Sequence, residues 1–434
     1  MTTTAHANTV RQSGATRRRL LEKRYRSERR FRRYGLGAVI LSGLILLTLL
    51  SSIAYQSLPA FSQTYVGLDV HFNPADIDPE GSGDPAVLEA GNYRGLAKKA
   101  VYKLFPDVTS RRDKRQLGKL VSIAAPEELK SFILQNPDAV GTTQTVWVTS
   151  SDDFDLLLKG KIRRDVMEED RVLSDKEIIW IDTLVDQGRV DRRFAANLFN
   201  SGDSREPELA GVKGAFIGTL LTMLVTFLAS FPVGVMAATY LEELAPKNRF
   251  TDIIEVNINN LAAVPSIVYG LLGLAVFINF LHLPRSAPLV GGLVLALMTL
   301  PVIIISTRAA LASIPPSIRE AALGVGASRL QVVSHHVLPL AMPGILTGTI
   351  IGLARAAGET APLLMIGMMA FIVDTPQSMS DKATVLPAQI YMWANNPERA
   401  FEARTSAGII ILLIFLLLMN AAAIYLRKKY EKRW

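Results

Sequence analysis

The chain has 434 residues, a mean hydropathy of +0.26 and a formal net charge of +8 at pH 7. Since 49% of the residues are hydrophobic and only 20% are charged, polar and apolar stretches must be segregated along the chain. Cysteine is absent, which excludes disulfides, thiolate metal sites and cysteine nucleophiles, and the five histidines do not cluster with carboxylates at ligand spacing. The composition therefore predicts a membrane protein with a soluble part, without a metal site or a bound cofactor.

A basic segment opens the chain and runs directly into an apolar one. Residues 1–34 contain eleven Lys or Arg and two Glu. The apolar stretch 35–55 would span about 30 Å as a helix, which matches the thickness of a hydrocarbon core. A cleaved signal peptide is the alternative, but the basic region is long for one and no small-x-small cleavage site follows. We therefore predict a basic cytoplasmic tail in contact with anionic membrane lipid, followed by an uncleaved first transmembrane helix, and no nucleic-acid partner.

Residues 56–212 contain no spanning segment and carry 20 Lys or Arg against 26 Asp or Glu. Apolar clusters at Thr145–Val148 and Ile178–Ile181 are typical of short strands. The stretch Pro126–Leu134 has helical spacing. This region is expected to be a folded α+β domain, and the topology below places it outside the cytoplasm.

The remaining part, 213–434, is predicted to be an all-α transmembrane domain. Spans are expected near 214–241, 255–281, 287–312, 338–372 and 407–427. The fourth would form about 50 Å of helix, so it is either one crossing with a re-entrant piece or two crossings. One crossing gives six spans in total and leaves the basic tail Arg427–Arg433 in the cytoplasm with the basic N-terminal segment, as the positive-inside rule favours.

The loop 313–337 then faces the cytoplasm and contains the most informative stretch. Ser317 and Glu320 have capping-box spacing, which predicts the start of a short helix. A turn at Gly326 and a cap at Ser328 predict a second short helix. A helix-turn-helix DNA reader has a similar local pattern, but closely spaced membrane spans would keep it from a major groove. A purely structural inner loop is the other alternative.

This loop resembles the EAA loop of ABC importer permeases. The matching residues are Glu320-Ala321-Ala322, Gly326 and Leu338-Pro339. The resemblance implies that the loop docks into a cleft on an ATPase subunit and transmits its closure, with Glu320, Ala321, Ala322 and Gly326 forming the contact. One departure is His336, which stands where the pattern usually has an aliphatic residue.

A second signal is a charged pair inside the long apolar segment 338–372. Arg355 and Glu359 lie four residues apart, on one face of a helix. Each charge at the centre of a bilayer costs roughly 2.5–3.5 kcal/mol on insertion scales, so an unused pair is not expected. The planar fork of Arg355 suits the oxygens of phosphate or carboxylate, and Glu359 can hold the arginine or accept a proton from a protonated oxyanion. The alternative is a self-satisfied pair that only fixes helix packing.

The residues after Arg355 indicate which type of ABC importer permease the chain resembles. The stretch Gly358-Glu359-Thr360-Ala361-Pro362-Leu363-Leu364 is similar to phosphate permeases of the PstA type, and Ala263–Leu271 resembles their APSIVxGL segment. The likeness covers about residues 210–430, and 56–212 resembles the extra N-terminal domain of some phosphate permeases. It implies a polytopic fold of six transmembrane helices, the type I importer permease fold, with Arg355, Glu359 and Thr360 on the translocation pathway.

The resemblance also implies the partners: two copies of an ATPase subunit, a second homologous permease and an extracytoplasmic phosphate-binding protein. The chain has no Gly-x-x-x-x-Gly-Lys-Ser/Thr motif, so the ATP-driven motor must be a separate chain. We therefore predict a permease subunit of a phosphate importer in the bacterial inner membrane, with no catalytic residues. Alternatives are a permease for molybdate or sulfate, a membrane sensor with an outer ligand domain, and a membrane enzyme.

Overall fold

The computed structural model describes residues 3–430, so the predicted cytoplasmic tail residues Glu431, Lys432 and Arg433 lie outside the described part. The chain divides into two units, one ending at Tyr55 and one beginning at Gln56. In the first unit, α1 (Thr3–Ser57) continues from the basic segment through the apolar one without a break. Its apolar side chains, such as Val39 and Leu47, are exposed. The helix is long and apolar enough to cross a membrane.

The second unit begins with a short 3₁₀ turn, Leu58–Phe61, and an α+β region that ends near residue 200. Its strands are β1 (Ser62–His71), β2 (Thr143–Thr149) and β3 (Val190–Phe194). Its helices are α2 (Pro74–Ile77), α3 (Pro85–Glu89), α4 (Tyr93–Leu104), α5 (Arg111–Leu117), α6 (Ala125–Gln135), α7 (Asp152–Leu158), α8 (Asp175–Asp186) and α9 (Asn197–Asn200).

The three strands form an antiparallel sheet in the order β2-β1-β3. Val66 of β1 pairs with Val148 on one side and with Val190 on the other. The central strand carries the fully buried Leu68 and Val70. α4 packs against this strand, and α6 packs against β2. The strand and helix predicted at Thr145–Val148 and Pro126–Leu134 correspond to β2 and α6. The α+β composition predicted for this region is therefore confirmed.

The strand predicted at Ile178–Ile181 is wrong, because these residues lie in α8. The Ser174 hydroxyl accepts a hydrogen bond from the Glu177 amide, and the Glu177 carboxylate accepts one from the Ser174 amide at 2.8 Å. This capping box starts a helix three residues before the apolar cluster. Ile178, Ile181 and Leu184 then recur every three residues and enter the core together.

From residue 213 onward the chain is helical, with several long apolar helices joined by shorter ones. Their bounds are α10 (Lys213–Thr239), α11 (Arg249–Ala262), α12 (Ser266–Gly273), α13 (Pro288–Ala312), α14 (Pro316–Gly324), α15 (Arg329–Gln331), α16 (Leu338–Gly358), α17 (Ala361–Met365), α18 (Leu386–Ala394) and α19 (Ala400–Tyr430). π-Helical segments continue α10 through Tyr240–Leu244 and α12 through Leu274–Phe280, and one over Val332–Val337 joins α15 to α16. Within residues 3–430, five helices are long and apolar enough to span a membrane, and six spans result if the bent pair α11–α12 is counted as one.

Two predicted spans differ from the structure in shape. The span expected at 255–281 is not straight, because α11 and α12 meet at an angle of 102°. Pro265 explains the bend, since it lacks an N–H and disfavours helical geometry in the residue before it. In the segment 338–372, α16 ends at Gly358 and α17 has only five residues. A second crossing is therefore excluded there, since five residues cannot span a bilayer.

Small residues bring the central helices α10, α13 and α16 together. A Cβ on Gly348 of α16 would lie 2.0 Å from the Ser306 Oγ of α13. A Cβ on Gly292 of α13 would lie 2.4 Å from the Cβ of Val225 on α10. Helices that pack this closely gain van der Waals contact where apolar lipid offers no hydrophobic driving force.

The linker between the α+β region and α10 is fastened to the segments around α18. The Trp393 indole donates to Asp203 Oδ1 at 2.9 Å, and the Gln389 amide donates to the Gly211 carbonyl at 2.9 Å. Burial raises the pKa of Asp203. These buried hydrogen bonds fix the α+β region to one end of the helical bundle.

Candidate coupling and transport sites

The loop between α13 and α16 folds as a short helix followed by a turn. The predicted capping box at Ser317 does not form, because α14 begins at the Pro315-Pro316 pair, whose fixed φ angles start the helix without a side-chain cap. Gly326 has a φ of +90°, the left-handed conformation that glycine adopts readily. Ser328 does cap the next helix, and its amide donates to Gln331 Oε1 at 2.8 Å.

One face of α14 is buried against the helical bundle, and the other is exposed. Ala322 is buried against a cluster that contains Leu311 and Ile345. Glu320 and Ala321 are exposed, as is Gly326 in the turn after the helix. The structure therefore brings the four predicted coupling residues into one small helix-turn unit, with three on its accessible side and Ala322 holding it to the bundle.

Arg319, which the sequence did not single out, joins this unit to α10. Its Nε donates to Glu243 Oε2 at 3.1 Å and its Nη2 donates to Glu243 Oε1 at 2.5 Å. The same guanidinium donates to the carbonyls of Leu311 at 2.9 Å and Ile314 at 2.7 Å. Arg319 thus uses its fork on a carboxylate and on two carbonyls at and just beyond the end of α13.

A second arginine extends this network. Arg308 of α13 donates through Nε to Glu242 Oε2 at 3.1 Å and through Nη2 to Glu255 Oε2 at 3.0 Å. Adjacent glutamates at the end of α10 therefore bind arginines from two different elements. The available sequence signal was Arg308 itself, a charge inside an apolar span that requires a partner.

One continuous helix connects the helix-turn unit (α14 and the turn at Gly326, the predicted coupling unit) to the predicted pathway residues. It runs from Arg329 to Gly358 and therefore extends for about 45 Å. Arg355 lies in its last turn, at the end away from the coupling loop. The structure thus separates the predicted site residues into two groups, one near each end of this continuous helix.

Around Arg355 the contacts are loose. Its Nε lies 3.7 Å from Glu359 Oε1, and the Arg355 side chain is 54% exposed while that of Glu359 is 22% exposed. Glu359 and Thr360 follow the helix end in a non-helical turn. Arg355 donates no hydrogen bond to any residue that the structure describes. Its guanidinium is therefore available to an anion.

A tyrosine of the bent pair α11–α12 packs in the buried cluster at the end of α16. The hydroxyl of Tyr269 donates to the Leu261 carbonyl at 2.7 Å and so bridges the bend. Ala356 and Ala357, the two residues after Arg355, belong to the buried cluster that contains Tyr269.

The α+β region contains a cavity of about 620 Å³. Carboxylates and cations share its lining, which includes Arg94, Lys98, Lys119, Asp152, Asp153 and Glu208. Burial, together with the charge of Asp152, raises the pKa of Asp153 to about 6. Burial also raises the pKa of Glu208 to about 7, and a hydrogen bond with Ser122 acts in the opposite direction. Among residues 3–430, no three His, Asp or Glu side chains are arranged to hold a metal ion.

Comparison with known proteins identifies the family. The family described as binding-protein-dependent transport system inner membrane component matches residues 230–433, and a domain of unknown function (DUF3333) matches residues 18–168. A probable ABC transporter permease protein, YqgI of Bacillus subtilis, is 31% identical over 51% of this chain and 80% of its own length. The phosphate transport system permease protein PstA of Haemophilus influenzae is 30% identical over 52% of this chain and 79% of its own length.

A solved structure of the MetNI methionine ABC transporter, in an inward-facing conformation, is 19% identical with a TM-score of 0.42, over 51% of this chain and 96% of that one. The sequence relatives alone fix the family. The chain belongs to the inner membrane components of binding-protein-dependent transport systems: it is a multi-pass ABC importer permease and not a catalytic subunit.

Proposed function

We propose that this permease forms half of the transmembrane phosphate pathway of an ATP-driven importer, with Arg355 binding the anion during passage. The observation that carries the proposal is the half-exposed guanidinium of Arg355 at the end of an apolar helix, with its only described carboxylate neighbour at 3.7 Å. A permanently charged planar fork in such a place suits a tetrahedral oxyanion. The similarity to permeases named for phosphate transport supports the choice of phosphate.

The roles of the neighbouring residues follow from their positions. Glu359 keeps Arg355 oriented without occupying its hydrogen-bond donors, and it can take up a proton from a protonated oxyanion. Thr360 lies beside Glu359 at the start of α17, where its hydroxyl forms no side-chain cap with that helix. We assign these three residues to the pathway.

The coupling unit defines the partners. We propose that Glu320, Ala321 and Gly326 contact an ATPase subunit, present in two copies, while Ala322 holds the unit to the bundle. A second homologous permease completes the pathway, and an extracytoplasmic phosphate-binding protein delivers the anion. With six spans, both termini lie on the cytoplasmic side, as the basic residues 1–34 and Arg427–Lys429 favour. The region 56–212 is then extracytoplasmic.

The test is phosphate uptake in cells depleted of other phosphate transporters, at matched membrane abundance of each variant. R355Q should abolish uptake while the complex still assembles. The matched control is R399Q, which removes an exposed arginine that forms no ion pair with any described residue. Unchanged uptake in R355Q would exclude the pathway role. Uptake of molybdate or sulfate, without phosphate uptake, by the wild-type chain would overturn the substrate assignment.

A further inference from the structure

We propose that Arg319 and Glu243 form a strut that transmits movement of the coupling helix α14 into α10. Both are positioning residues, since neither lies on the accessible face of α14 that carries Glu320 and Ala321. The inference rests on the proposed function to the extent that α14 is taken to contact an ATPase subunit. It assigns to Arg319 and Glu243 a role that the motif residues do not fill.

Arg319 and Glu243 meet at two points in a largely buried position. Arg319 and Glu243 form a two-point contact, with N···O distances of 3.1 and 2.5 Å. Their side chains are only 24% and 9% exposed. A bidentate arginine–carboxylate contact fixes orientation as well as distance, so it can carry a push or a rotation. An exposed single contact between flexible chains could not do so, because such pairs contribute little.

The pair lies where α14, the end of α10 and the end of α13 meet. Arg319 also donates to the carbonyls of Leu311 and Ile314, at 2.9 and 2.7 Å, which lie at the end of α13. Glu243 belongs to the π-helical segment that ends α10. One guanidinium therefore holds α14 against both α10 and the end of α13, and α14 cannot tilt without displacing these elements or breaking the contact.

The network of arginine–glutamate hydrogen bonds continues beyond Arg319. Glu242, the neighbour of Glu243, accepts from Arg308 at 3.1 Å, and Arg308 also binds Glu255 of α11. The end of α10 is thus joined to α13 and to the bent pair α11–α12. Tyr269 of that bent pair packs in one buried cluster with Ala356 and Ala357, the two residues that follow Arg355, so a movement of α14 has a connected route toward the pathway residues.

The test uses the assembled importer in proteoliposomes: this chain with its ATPase, its partner permease and the binding protein. Phosphate moved and ATP hydrolysed are measured together, after co-purification of the ATPase has been quantified. E243Q keeps the shape of the side chain but removes its charge. It should leave ATPase co-purification unchanged and lower the phosphate moved per ATP about fivefold or more.

Further variants separate transmission from a general defect. R319Q should lower the ratio at least as far as E243Q, because it also loses the two carbonyl contacts. The double variant should be no worse than R319Q alone within about twofold, since both changes break the same contact. D252N is the matched control: Asp252 is an exposed carboxylate on α11 that pairs with no described basic residue, and its variant should keep the wild-type ratio.

Two results would overturn the strut. One is a wild-type ratio of phosphate to ATP in E243Q. The other is equal loss of ATPase co-purification in E243Q and R319Q, which would place the pair in docking. If E243Q assembles poorly, E243D retains the carboxylate on a shorter chain and should give an intermediate ratio; a wild-type ratio there, with R319Q also normal, counts against the strut. Failure of the wild-type importer to move phosphate would contradict only the proposed substrate, because stimulation of ATP hydrolysis by the binding protein would still report on the strut.

Discussion

An arginine–glutamate pair lies near each end of the helix from Arg329 to Gly358, and the two pairs differ in their contacts. In the predicted coupling loop 313–337, Arg319 donates two hydrogen bonds to Glu243 and two more to backbone carbonyls. At the far end, Arg355 stands 3.7 Å from Glu359 with more than half of its side chain exposed. An arginine whose three guanidinium nitrogens all donate to neighbouring elements holds those elements together. One whose donors are not engaged can bind a ligand.

The origin of this difference lies in the backbone. Arg319 and Glu243 come from separate elements, so their backbones can be placed for a two-point contact. Arg355 and Glu359 are four residues apart, but α16 ends at Gly358 between them. The backbone of Glu359 is extended and no longer helical. The pair therefore lacks the spacing that favours contact on a helix surface. The same two residue types therefore serve different purposes.

The largest expected effect would test whether Arg319 is structural and Arg355 is not. R319Q should lower the free energy of unfolding by about 2 kcal/mol, because it leaves a mostly buried carboxylate without a partner; the full cost of a buried pair is discounted for the partial exposure. R355Q, at an exposed position, should change it by less than about 0.5 kcal/mol. Thermal unfolding of the purified protein in one detergent measures both. Equal shifts would contradict the distinction between the pairs.

A smaller effect should sharpen the role of the loose pair. R355K retains the charge but loses the planar fork, so phosphate uptake should fall about tenfold instead of disappearing. Uptake at several phosphate concentrations, with membrane abundance matched, gives the measurement. Full activity in R355K would mean that charge alone is sufficient and that the geometry of the guanidinium is not used.

The smallest expected effect concerns a third kind of charged group, a buried carboxylate without a strong pair. Glu208 has a pKa raised to about 7 by burial, so the folded state holds its proton more tightly than the unfolded state does. Stability from this group is present below the unfolded pKa and is lost as the pH rises through about 7. Because the Arg404 side chain lies beside the Glu208 backbone and offsets part of this cost, we expect a loss of about 1 kcal/mol.

The measurement for Glu208 is thermal unfolding at pH 5 and pH 8 with E208Q as the comparison. The variant cannot titrate, so the part of the pH dependence that comes from this residue should vanish. E169Q is the matched control, because Glu169 is an exposed carboxylate of the same region that forms no ion pair with any described residue. An unchanged pH dependence in E208Q would show that Glu208 does not change its ionisation on unfolding.

Apolar run length and local motifs carried most of what could be predicted. The spans expected at 214–241 and 287–312 correspond to α10 and α13, since long apolar stretches have few alternatives in a membrane. The run Ile178–Ile181 was assigned wrongly because four apolar residues fit a strand or a helix equally well. The capping box at Ser174 decided the matter, and it was visible in the sequence.

Long-range pairings could not be predicted. Arg319 and Glu243 are separated by 76 positions, and no spacing rule connects them. The four-residue spacing of Arg355 and Glu359 was visible, but the looseness of their contact depends on where α16 ends. The bend before α12 had a local cause in Pro265, whose effect was masked by the apolar residues on both sides. Sequence thus indicated which residues carry charge in the membrane, and tertiary structure decided what each charge does.

The continuous helix from the coupling loop to Arg355 places a constraint on the length of the chain itself. Each residue added within an α-helix rotates everything beyond it by about 100° and advances it by about 1.5 Å. A single insertion between Pro343 and Arg355 would therefore turn the guanidinium toward another side of the bundle, although no charged residue had changed. An insertion of seven residues would restore its direction but move it about 10 Å along the axis. The number of residues between the two ends of the helix therefore sets the direction and the position of the Arg355 guanidinium.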